Sequence, residues 1–238
     1  MPGFPLTRHS VIERIRSADA GARRLAFGDL VAGYWKPLYT YLRIHWRLSD
    51  ADAQDLTQAF FSEAFQKEWL ARYDAGKARF RTFVRLCADR FVMNARQAAS
   101  RQKRGGEADT VSLDFQGAEA EMALRQLTVA PDAEELFHRE IVRALFARAI
   151  ADVRAEYLAS ARQVHLAPFE RYDIDPSEDV SYGGLAKEFG LTQAQVTNYL
   201  AQIRRRFRER ALDVLRTLSG SDEEFRREAR ELFGVELE

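Results

Sequence analysis

Apolar positions recur at intervals of three and four along most of this chain, the period of an amphipathic helix. Phe27, Leu30, Val31, Tyr34, Leu38, Tyr41 and Leu42 form the first such stripe. Pro37 interrupts it, so a second helix starts there or one helix is kinked. The stretch "SDADAQDLTQAFF" predicts a helix over 50–66. Ser49 stands at the cap, Asp52 follows at capping-box spacing, and acids suit the positive end of the helix dipole. "KEWLARYDAGKARF" reads as a loop. Phe80, Phe83, Val84, Cys87, Phe91, Ala95 and Ala98 then mark one face of a long helix that Gly105 and Gly106 stop. Residues 107–130 mix acids with short apolar pieces and predict a linker holding a partial helix. Pro131 and Asp132 open a new helical region whose Leu136, Phe137, Ile141, Leu145 and Phe146 face inward. "HLAPFERYDIDPSED" is a second break. The last helices span about 182–218, and "SDEEFRREARELFG" adds a short one. Strand signals are scarce, and nothing repeats at a solenoid period. The expected fold class is all-α.

A chain of 238 residues with 46% hydrophobic content can bury two cores. The expected division is a helical domain over 1–106, a linker over 107–131 and a second helical domain over 132–238. Net charge is zero, from 36 basic and 36 acidic side chains, but the charge is segregated. Residues 79–104 carry Arg79, Arg81, Arg85, Arg90, Arg96, Arg101, Lys103 and Arg104 against the single acid Asp89. Residues 107–140 hold nine acids and two bases, and residues 191–216 hold six bases and two acids. Two basic helices on either side of an acidic linker suit a nucleic acid touched twice, or a linker that shields a basic helix. Cys87 is the one cysteine, so no internal disulfide forms, as suits a reducing cytoplasm. His9, His45, His138 and His165 are too scattered to predict a metal site. No nucleophile elbow, phosphate loop or carboxylate–histidine pairing argues for an enzyme, and no cofactor is expected. No apolar run approaches the roughly 20 residues of a membrane span, and the N-terminus lacks a signal-peptide core. A cytoplasmic, non-membrane protein is expected.

The sharpest local pattern is "YGGLAKEFGLTQAQVTNYLAQIRRRFR". A helix-turn-helix needs a small residue where its helices cross, a turn residue that tolerates positive φ and an apolar anchor in the second helix. Ala186, Gly190 and Val196 meet those needs, and Thr192 caps the second helix. Val196, Leu200, Ile203 and Phe207 form its buried stripe. Gln193, Ala194, Thr197, Asn198, Arg204, Arg205 and Arg208 lie opposite, with amides and a hydroxyl for base edges first and guanidinium groups for phosphates after.

In their order and separation, these stretches resemble bacterial RNA polymerase sigma factors of the extracytoplasmic-function class. "DAQDLTQAFF" is similar to the family's polymerase-binding helix. "GKARFRTFVRLCADRFVMNARQAASRQKRGG" is similar to its minus-ten recognition and melting region, and "VSYGGLAKEFGLTQAQVTNYLAQIRRRFRERAL" to its minus-thirty-five helix-turn-helix. The resemblance implies that 1–106 is a region-2-like domain and 132–238 a region-4-like domain with a C-terminal helical tail. It implies core RNA polymerase as partner, held through Asp52, Asp55 and Gln58. It implies promoter DNA as the second partner, both duplex and opened minus-ten strand. The implied DNA contacts are Tyr73, Lys77, Arg79, Arg81, Asn94, Arg101, Lys103 and Arg104, together with Gln193, Thr197, Asn198, Arg204, Arg205 and Arg208. Gln54 and Thr57 stand where the family usually has an acid and an apolar residue. A phosphate would add about −1.5 to −2 charges, which makes Thr57 and then Ser49 candidate acceptors for a Ser/Thr kinase. An anti-sigma factor is a further candidate partner. The alternatives from the residues alone are a free-standing helix-turn-helix regulator and a degenerate sigma-like interaction protein.

Overall fold

Polar caps set where several helices of this chain begin. A computed structural model describes residues 10–99, 113–125, 132–160, 162–175 and 180–236. Helix α1 (Val11–Ile15) opens on a reciprocal box, in which Glu13 N–H donates to Ser10 Oγ and Ser10 N–H donates to the Glu13 carboxylate. Asp19 caps the 25-residue α2 (Ala20–Ile44), which runs through Pro37 without a break. Ser49 caps α3 (Asp50–Gln66), whose bounds match those the sequence predicts. A 3₁₀ turn over Trp69–Arg72 leads to α4 (Phe80–Ala99). Helix α5 (Phe115–Leu124) is the partial helix expected in the linker. Then come α6 (Ala133–Ala159), α7 (Gln163–Phe169) and a π turn over Glu170–Ile174. Helices α8 (Tyr182–Glu188), α9 (Gln193–Leu218) and α10 (Asp222–Phe233) follow. The fold is all-helical, with no strand among the described residues. No described helix is long and apolar enough to cross a membrane. The break expected at "HLAPFERYDIDPSED" is instead helical over α7 and the π turn, because Leu166 and Phe169 bury in a core there.

The chain divides into two units, 1–144 with 215–238, and 145–214. This differs from the expected domains in two places. Residues 132–144 join the first unit because Phe137 of α6 packs on Tyr34 and Tyr41 of α2, at ring separations of 6.4 and 5.5 Å. Residues 215–238 join it because the last turn of α9 returns to α2. The Tyr34 hydroxyl donates to Leu218 O at 3.0 Å. The Leu218 side chain lies where a Cβ on Gly33 would be, 2.2 Å away, so that contact requires glycine. The rest of the first core is aromatic. Phe60 meets Phe61, Trp69 and Phe91 edge-on, and Phe80 meets Tyr34 and Tyr73 in the same way. Helix α5, the described part of the acidic linker, lies on α2. Glu119 holds Arg43, and Glu121 holds Lys36. The second unit is built on Val153, Tyr157, Leu166, Phe169, Leu185, Val196, Leu200 and Ile203. Glu156 ties that unit together by accepting from both Arg206 and Arg210.

Candidate functional site

In the second unit, α8 and α9 form the expected helix pair. Ser181 caps α8, and Ala186 is buried. Gly190 takes a φ of 64°, and Leu191 N–H reaches back to Ala186 O at 2.8 Å. Thr192 caps α9 through a box with Gln195, whose N–H donates to Thr192 Oγ1 while its side chain accepts from Thr192 N–H. With Val196, Leu200 and Ile203 fully buried, Gln193, Thr197, Asn198, Arg205 and Arg208 come to the exposed side. Among the described residues nothing bonds to the Asn198, Arg205 or Arg208 side chain. The Thr197 hydroxyl donates along its own helix to Gln193 O at 2.9 Å.

Arg204 is placed differently from the expectation. Its guanidinium grips Asp173 with two bonds of 3.0 and 2.8 Å and lies 5.5 Å from the Tyr172 ring centroid. The bonds to Asp173 raise its pKa further above the ordinary arginine value. This residue anchors α9 to the π turn and is not a free contact. His165 stacks on Tyr199 at 3.8 Å, which keeps the ring beside α9.

The first unit carries three features. On α3, Asp52 and Asp55 are exposed and Gln58 is half-buried. Asp52 also accepts from Ser49 Oγ at 2.7 Å, so the Ser49 hydroxyl serves the cap. Gln58 lies at the edge of a surface groove of about 650 Å³ floored by Phe27, Val31, Trp35, Phe61 and Phe65. Thr57 faces the other way. It is 0% exposed, and its hydroxyl donates to Ala53 O at 2.7 Å. As folded, it offers no acceptor to a kinase, because the neighbouring alanines and aromatics put this face inside.

The second feature is another groove, of about 690 Å³, lined by Trp69, Phe83 and Phe91 with Arg72, Arg90 and Asn94 around it. Asn94 was expected to contact DNA. Arg72, Trp69, Arg90 and Phe91 were not singled out, although Arg90 and Asn94 stand one helical turn apart on α4, which is legible as a shared face.

The third is the stretch 73–81. Tyr73 is 4% exposed, and its hydroxyl lies 2.9 Å from Ala78 O and 3.1 Å from a Glu224 carboxylate oxygen. Burial, and then the charge of Glu224, push its pKa well above that of an ordinary tyrosine. Arg79 makes a two-bond pair with Glu231 at 3.0 and 2.8 Å. Arg81 is 7% exposed and paired with Glu228. Desolvation, and then the neighbouring Arg79 charge, lower its pKa. Of the residues expected to meet DNA, Tyr73 and Arg81 are therefore buried under α10, and Arg79 is half-buried and paired with it. Lys77 stays exposed, 3.5 Å from Asp74. Arg101, Lys103 and Arg104 lie outside the described residues. The described residues hold no group of three or more His, Cys, Asp or Glu side chains arranged for a metal ion.

No protein-family model matches the chain, and no curated protein or solved structure is significantly similar to it.

Proposed function

We propose that this protein is a sigma factor of the extracytoplasmic-function type, which directs core RNA polymerase to promoters and has no active site of its own. The α8–α9 pair reads the duplex upstream element, and the first unit engages polymerase and the opened strand. The observation that carries this proposal is the face of α9. Gln193 and Asn198 sit near its start, Arg205 and Arg208 follow, and the opposite side is locked into a core behind a glycine turn. That order places groups that discriminate base edges ahead of groups that hold phosphates. Support from the first unit is the exposed Asp52 and Asp55 on α3 and the aromatic groove with Arg72, Arg90 and Asn94 at its rim, which suits unstacked bases. The test is transcription by purified bacterial core polymerase on a promoter pool selected with this protein. Specific start sites that appear only when the protein is added are the expected result. No protein-dependent start on any pool member rejects the proposal.

A second possibility, a helix-turn-helix regulator that works without polymerase, is favoured by one observation: Tyr73 and Arg81 are buried and Arg79 is paired with Glu231. It predicts sequence-specific duplex binding at full strength without core polymerase, and no protein-dependent start.

A further inference from the structure

Helix α10 presents Glu224, Glu228 and Glu231 on one side, at the spacing of successive helical turns. Each carboxylate meets a different part of the 73–81 stretch. Glu224 accepts from Phe80 N–H at 2.8 Å and Gly220 N–H at 3.0 Å, and its other contact is the Tyr73 hydroxyl. Glu228 pairs with Arg81, and Glu231 with Arg79. A row of three anions on a backbone N–H, a phenol and two guanidinium groups is how a phosphodiester strand would be held at the same place.

Two details show that the helix is an imperfect occupant. Arg81 Nε is buried without a hydrogen-bond partner, so the Glu228 carboxylate leaves one guanidinium donor unsatisfied. The outermost pair, Arg79 with Glu231, is partly exposed on both sides and is weakened by water and salt.

We propose that α10 is an intramolecular competitor for single-stranded nucleic acid. Its Glu224–Glu228–Glu231 face occupies the Tyr73–Arg79–Arg81 surface, and a phosphodiester strand must displace it to bind there. This rests on the nucleic-acid role argued above and adds that the role is held closed by the protein's own tail.

The test uses the full chain and a fluorescein-labelled oligothymidylate. Binding is followed by anisotropy, and exposure of α10 by hydrogen exchange over 222–233. Three variants vary the cover: E231Q, which removes one partly exposed charge, E228Q/E231Q, and Gly220→Ala. The last adds a Cβ that would stand 2.3 Å from the Tyr73 ring and wedges the helix away without altering the basic groups. The expected result is binding that tightens about tenfold in E228Q/E231Q, less in E231Q, and returns towards the parent value when R79A is added. Exchange over 222–233 in the parent should rise when the strand is added. Equal binding by parent and variants, with α10 protected throughout, overturns the competition while leaving promoter-dependent transcription as the separate test of the function. Failure of every form to bind overturns the assignment of this surface to nucleic acid.

Discussion

Arg204 and Arg205 are neighbours with different surroundings. Adjacent residues on a helix point about 100° apart, so one reaches Asp173 and the other faces water. Arg204→Ala should therefore lower stability, by roughly 0–1 kcal/mol for a pair this exposed, and leave base preference alone. Asn198→Ala should do the reverse, costing roughly 1–3 kcal/mol at a single base pair with little change in melting. Thermal melts together with binding to singly substituted duplexes distinguish the two; loss of base preference in the Arg204 variant would reverse the assignment. Gly190 is the turn residue of this unit. At a φ of 64°, a side chain costs about 1–2 kcal/mol, so Gly190→Ala should lower the unfolding free energy extrapolated from urea titration by that amount, with the midpoint falling and the slope unchanged. The positions of Gly190 and Val196 were legible from spacing alone. The engagement of Arg204 was not, because its partner lies in an irregular segment where no periodicity tells which way Asp173 points.

At the scale of the element, α3 shows what a local pattern can and cannot give. Its bounds and its exposed acids follow from the cap and the apolar spacing. The depth of Thr57 does not, because burial depends on what α3 packs against. A kinase acting on folded protein should leave Thr57 unmodified, as intact-mass measurement before and after treatment would show. Thr57→Glu should cost several kcal/mol and unfold the first unit, since it places a carboxylate in a closed apolar site. A folded, phosphorylated Thr57 would show that α3 turns or opens. Asp52→Lys with Asp55→Lys should keep the helix at a cost of about 1 kcal/mol for the dipole and cap, yet abolish capture of core polymerase in a pull-down. Helix α10 was legible as a helix. What its acidic face covers was not, because pairings such as Tyr73 with Glu224 join positions 151 residues apart and leave no trace in local sequence.

At the scale of the whole molecule, a half-buried histidine beside like charges and a set of ion-paired carboxylates predict sensitivity to acid in two stages. Burial, and then the Arg81 and Arg79 charges, lower the pKa of His138. A histidine depressed in the folded state favours folding while neutral. Its contribution starts to be lost as pH falls below the unfolded value of about 6.5. Hydrogen bonds from Arg79 and Arg206 lower the pKa values of Glu231 and Glu156. Their contribution is complete above the unfolded value of about 4.3 and is lost as pH falls through the lower folded values. Urea unfolding of the full chain should show stability starting to fall as pH drops below about 6.5 and falling again below about pH 4.3. The substitution His138→Gln should flatten the first fall alone; an unchanged upper limb would assign it to another group.

The return of 215–236 to the first unit also bears on how the protein is made. Gly33, Tyr34 and Tyr73 emerge from the ribosome long before Leu218 and Glu224, which complete their surroundings. All of 145–214 is translated in between, which takes roughly 4–14 s at 5–20 residues per second. During that interval the nascent first unit carries an open seam at Gly33 and an uncovered pair of arginines, Arg79 and Arg81. Chaperone capture and premature adhesion to nucleic acid are hazards of that interval, and they end when translation delivers the tail.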